Sequence, residues 1–144
     1  MGFSEYRNGV CNANDRFIEE YGVKKLTQMV QDVLSELENG NLASYAEAEK
    51  VLEVGYRTEL GQIDIISSEK VKETKQKFLE DALKVIRARG YGLKKLDGLI
   101  FVGGTTQKIK EQIMGIFPNA TIPADSKWTT CEGLYKIAAA KYLK

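Results

Sequence analysis

The stretch Asp97-Gly98-Leu99-Ile100-Phe101-Val102-Gly103-Gly104 limits the possible folds more than any other. Four apolar residues in a row, bounded by Asp-Gly and Gly-Gly, are too short for a helix and carry no polar alternation. Leu99–Val102 therefore reads as a parallel strand buried on both faces. Around it the apolar residues recur at helical spacing, so strands alternate with helices. That pattern gives an α/β fold: a mixed, partly parallel sheet with flanking helices. With 144 residues, 43% of them hydrophobic, the chain forms one domain, 1–144, whose core needs no disulfide or metal.

The helices announce their ends. Val23, Leu26, Met29/Val30, Val33/Leu34 and Leu37 form one stripe that stops at Asn39-Gly40. Ser44-Tyr45-Ala46-Glu47 is a capping box opening a helix through Glu53, with Gly55 as its stop. Gln62–Ile66 reads as a short strand or an extended link. Ser67 or Ser68 then caps a long helix with Val71, Phe78, Ala82 and Val85/Ile86 inward, ended by Gly90. Ile109, Ile113 and Ile116/Phe117 make the next helix amphipathic, and Ala120–Ile122 reads as one more strand. Thr129-Thr130-Cys131-Glu132 resembles a second capping box, for a final helix with Leu134, Ile137/Ala138 and Leu143 inward. At the other end, Phe3–Arg7 and Arg16–Glu20 read as a hairpin around Asn8-Gly9. Three stretches follow: a hairpin over 3–20, a helical part over 21–96, and the strand with its C-terminal helices over 97–144.

Composition removes several functions. The chain has no histidine, hence neither the commonest general base nor the commonest metal ligand. No catalytic residue and no metal set is assigned. Cys11 and Cys131 are far apart and read as reduced structural thiols. Net charge is +1, which gives no field to attract nucleic acid or an acidic membrane. The lysines and arginines between Lys70 and Lys95 read as a solvated face, with a polymer contact as the alternative. No apolar run spans a membrane, Met1-Gly2-Phe3 opens no signal peptide, and Tyr6 stands where myristoylation wants Ser or Thr. A cytoplasmic location is expected.

One feature suggests chemistry. A strand entering Gly103-Gly104-Thr105-Thr106 and then a helix lets a ligand approach bare backbone, and free amides there favour phosphate. A tight turn with no ligand has the same sequence, and Lys108 is not in a P-loop context. The stretch Asp97–Thr105 resembles the adenosine-binding segment of the actin, Hsp70 and sugar-kinase superfamily. Further on, Phe117-Pro118-Asn119, Asp125-Ser126-Lys127-Trp128 and Gly133-Leu134-Tyr135 look like the tail of the ParM/StbA plasmid-segregation branch. The helices of Tyr21–Leu37, Ala48–Glu53 and Val71–Arg89 fall in that branch's order.

The resemblance implies a subdomain of the ribonuclease-H-like, actin-like fold, and ATP with Mg²⁺ as cofactor of a complete protein. It implies Gly103, Gly104 and Thr105 at the adenosine and α-phosphate, and Glu49 and Lys50, with Glu53 a further candidate, beside the base and ribose. As plain surface charges, those three could equally form helical ion pairs. Implied partners are filament subunits of its own kind and a cargo adaptor, with no direct contact to nucleic acid or membrane. The superfamily's two phosphate-gripping hairpins do not occur in these 144 residues. The chain is therefore expected to be a fragment of such an ATPase, inactive alone, because phosphoryl transfer is largely positioning by those loops and Mg²⁺. Two alternatives share the sequence: a half-subunit that caps filaments, and a small α/β domain holding phosphate at Gly103-Gly104. Family order also leaves a central sheet position vacant. Either the hairpin shifts to pair with Leu99–Val102, or a second copy supplies the pairing.

Overall fold

Three helices bury most of what the chain buries. In the computed structural model, which describes residues 1–38 and 41–142, α1 is Val23–Leu37, α2 Tyr45–Val54 and α3 Ile65–Ala88. The stripe of α1 puts Leu26, Val30 and Leu34 wholly inside, against Ala48, Val51 and Leu52 of α2 and Val71, Phe78, Leu79 and Leu83 of α3. Full burial of each large side chain stabilises by roughly 1.5–3 kcal/mol. Polar residues on α1 fix the turn into α2: Gln31 Nε2 donates to the Ala43 carbonyl at 2.8 Å, and Ser35 Oγ accepts from the Ala43 amide at 3.0 Å.

The end signals mostly hold. Ser44 Oγ accepts from the Glu47 amide at 3.1 Å, and Gly55 closes α2 at φ +93°. Gly90, at φ +90°, follows α3. The stop proposed at Asn39-Gly40 lies outside the described residues. Neither Ser67 nor Ser68 caps α3. Asp64 does, accepting from the Ser67 amide at 3.2 Å, while the buried Ser67 hydroxyl donates to the Asp64 carbonyl and accepts from the Arg57 amide. A carboxylate placed before the first turn is the stronger acceptor.

Two small hairpins flank this bundle. β1 (Gly2–Ser4) pairs antiparallel with β2 (Arg16–Ile18), with Phe3 opposite Phe17. These strands are shorter than the sequence suggested, because Asn8 and Gly9 (φ +52° and +78°) close a separate tight turn between Arg7 and Val10, and a 3-10 turn occupies Ala13–Asp15. The rings of Phe3, Phe17 and Tyr91 pack together at 4.5–5.8 Å, and Arg89 lies over Phe17 while pairing with Glu19, so this hairpin is pinned to the end of α3. β3 (Arg57–Glu59) and β4 (Gln62–Asp64) form the second hairpin. Gln62 does begin a strand, but it ends at Asp64, and its partner was not anticipated.

The remaining elements are α4 (Gly104–Lys108), α5 (Lys110–Ile116) and α6 (Ser126–Tyr142). Three expectations fail here. First, residues 99–102 make only one parallel bridge, Ile100 to Thr121. They are covered on one side: Phe101 packs on Phe117, whereas Ile100 is 71% exposed. The anticipated mixed sheet is thus two separate two-stranded antiparallel ladders plus two isolated bridges, this one and Arg7 to Val10, among the described residues. Second, α6 begins at Ser126, and Thr129 does not cap it; its hydroxyl donates back to the Asp125 carbonyl. Leu134 and Ala138 are exposed, not inward; the Ile137 side chain and Leu143 lie outside what is described. Third, of the two ways to fill the central sheet position, the sideways shift of the β1–β2 hairpin does not occur; pairing by a second copy lies outside a single chain. A cavity of about 380 Å³, floored by Phe78, Leu79, Ile109 and Ile113, separates β1 from residues 99–102.

Candidate functional site

The glycine turn is built from two directions. Gly103 sits at φ +103°, a conformation costly to any residue with a Cβ. Its amide donates to the Ser126 carbonyl at 2.7 Å, and Ser126 Oγ donates back to the Gly103 carbonyl at 3.2 Å. Gln107 Nε2 reaches the Pro123 and Ala124 carbonyls and Ser126 Oγ at 3.0–3.3 Å, and buried Thr106 donates to the Val102 carbonyl. The turn is thereby clasped to the first residue of α6. Over Gly104 the space is open: an added Cβ would meet only Lys127 Cγ, at 3.9 Å.

α4 has five residues, so its dipole adds little for an anion; lysines are the stronger source of positive charge. On its far side a cavity of about 440 Å³ opens between the end of α2, the start of α3 and α5. Its wall carries Lys72, Lys75, Lys108 and Lys110 against Glu53 and Glu111, with Tyr56 and Gln107. Four cations against two anions suit a ligand bearing negative charge. Lys108 pairs with Glu53 and so joins α4 to α2 across the cavity mouth. Burial pushes the Lys75 ammonium below its ordinary value, and Glu111 opposes that shift. The volume lies within the usual range for small-molecule sites.

The sequence-derived residues fall into two groups. Gly103, Gly104 and Thr105 sit together at the turn, with Gly103 and Thr105 also facing the apolar cavity beneath β1. Glu49 and Lys50 are exposed on α2 and line none of the cavities described. Glu53, a turn later, does. Ser126, Gln107, Lys108 and Lys75 were not read as site residues. Lys108, four residues past Gly104, was the readable signal. Ser126 could not be found from spacing, because the fold brings it back across 23 residues. The basic stretch on α3 is largely solvated, with Lys70–Glu73 and Lys84–Asp81 ion pairs; Lys75 is half-buried. Among the described residues no group of His, Cys, Asp or Glu could hold a metal ion, and no helix is long and apolar enough to cross a membrane.

Comparison with solved structures gives one likeness that carries weight. A chain of the Alp12 filament structure matches over 99% of the present chain at 56% identity, with a TM-score of 0.69. The chain is similar to a filament protein. It spans 44% of that chain's length. No family model and no curated protein matches it. The likeness agrees with the filament-protein part of the sequence reading.

Proposed function

We propose that this chain is the adenosine-bordering part of an actin-like filament subunit of the plasmid-segregation kind. The observation that carries the reading is the 56% identity, across nearly the whole chain, to a protein solved as a filament. The motifs Asp97–Thr105 and Asp125–Tyr135 supply the narrower branch. Gly103, Gly104 and Thr105 border the adenosine and α-phosphate of ATP, and the lysine-rich cavity between the end of α2, the start of α3 and α5 supplies positive charge toward its phosphates. Glu53 and Lys108 stand at its mouth. Glu49 is four residues before Glu53 and shares its side of α2, with Lys50 beside it at the outer edge. Bound Mg²⁺-ATP supplies the phosphoanhydride; these residues only hold and orient it.

The reading is tested on the purified chain by two measurements. Sedimentation velocity over a wide concentration range should show self-association; a single monomeric species throughout would sink the filament part. Titration with Mg²⁺-ATP should give weak binding and no turnover, because neither phosphate-gripping hairpin is in the sequence. Phosphate release above a blank, abolished by Gly104→Glu, would overturn that.

A further inference from the structure

The β3–β4 hairpin is oriented against the rule for a lone chain. In the ladder, Arg57 lies opposite Asp64, Thr58 opposite Ile63, and Glu59 opposite Gln62, so the faces alternate. Arg57 and Asp64 are turned to the body: Arg57 bonds Glu38 next to the end of α1 at 2.6 Å, the largely exposed Glu59 at 2.7 Å and Asp64 at 3.1 Å, with its own side chain 12% exposed. The opposite face, Thr58 and Ile63, is open to solvent. Ile63 is exposed, as are Ile65 and Ile66 in the first turn of α3. At the tip Leu60 is wholly exposed.

Leu60 is also in a backbone conformation that disfavours it. The two-residue turn Leu60-Gly61 has φ +49° and +80°, the geometry that favours Asn-Gly. A leucine there is strained and buries nothing within the chain. Neither fold nor solubility accounts for it. A projecting leucine beside exposed isoleucines, with Arg57 and Asp64 folded inward, has the form of a contact between molecules.

We propose that this tip, Leu60 with Ile63, Ile65 and Ile66, is a surface through which one copy of the chain binds another. The proposal rests on the filament reading above: a protein 56% identical over this chain assembles from repeated copies, which makes a second copy the occupant. It adds where the copies touch.

Leu60→Asn separates folding from association. Asn-Gly suits the turn, so the melting temperature should hold or rise. Association measured by sedimentation velocity should weaken at least about tenfold, and Ile63→Thr, which keeps a β-branched strand residue, should do the same. Wild type that associates while both variants associate equally well would overturn the tip and leave the filament reading standing. Wild type that stays monomeric would overturn both. Loss of association in Leu60→Asn with its melting temperature retained is the supporting result.

Discussion

The α1–α2–α3 bundle and the C-terminal stretch from residue 97 onward have similar helical content but differ in what their apolar residues meet. In the bundle each stripe finds another stripe, and Leu26, Val30 and Leu34 lose all contact with water. In the C-terminal stretch, α5 delivers Ile113 to the same core, yet Ile100, Trp128, Leu134 and Tyr135 remain open. The difference shows that apolar sequence does not by itself specify burial. Burial also needs a partner surface within reach, and the bundle holds one through short turns and capped ends. The C-terminal elements are instead tied together by polar contacts at Ser126 and Gln107.

The comparison can be broken where it is strongest. Leu34→Ala empties a wholly buried site on α1 and should cost about 3 kcal/mol, within the usual range for such truncations. That is a large part of a typical domain's stability of ~5–15 kcal/mol. A denaturant midpoint unchanged by the variant would mean that the bundle is not the core. Phe101→Ala comes next. Full burial would have implied roughly 3–5 kcal/mol, but the ring is covered on one side only, so about 2 kcal/mol is expected. A loss as large as that of Leu34→Ala would erase the contrast between the regions.

A subtler probe is pH. Burial lowers the folded-state pKa of Lys75 beneath its ordinary 10.5. Between the two values the unfolded chain binds more protons, so stability rises with pH up to about 10.5 and is lost as pH falls through the folded value. Lys75→Met should flatten this rise; parallel slopes for the two proteins as pH approaches 10.5 from below would show that Lys75 is solvated. Smallest of all, Leu134→Ala on the open face of α6 should change stability by no more than about 0.5 kcal/mol. A change several times larger would reveal that this face is covered in solution.

What the sequence disclosed follows the same division. The bundle was legible because stripe, cap and stop signals coincide: Ser44 and Gly55 bracket α2, and Gly90 follows α3. β3 was missed because Leu60-Gly61 does not look like a tight-turn pair, although its backbone is one. Residues 99–102 were read as doubly buried because an apolar run records what a strand can tolerate, not what lies beside it. At the site, the Gly103-Gly104 turn was visible as composition. Its clasp was not, since Gln107 and Ser126 are brought together by the returning chain. Glu49, Lys50 and Glu53 all lie on α2, but only the chain's course shows that Glu53 alone of the three lines the cavity.

The clasp between Gly103 and Ser126 also has a mechanical side. Ser126 is the first residue of a helix of 17 residues, about 25 Å long, which is stiff along its axis. A displacement of the glycine turn that keeps both hydrogen bonds carries the first residue of α6 with it. A tilt of about 5° there carries the far end, near Tyr142, through about 2 Å. Where the two move as one, a small tilt at the glycine turn becomes a larger displacement at the far end of the helix.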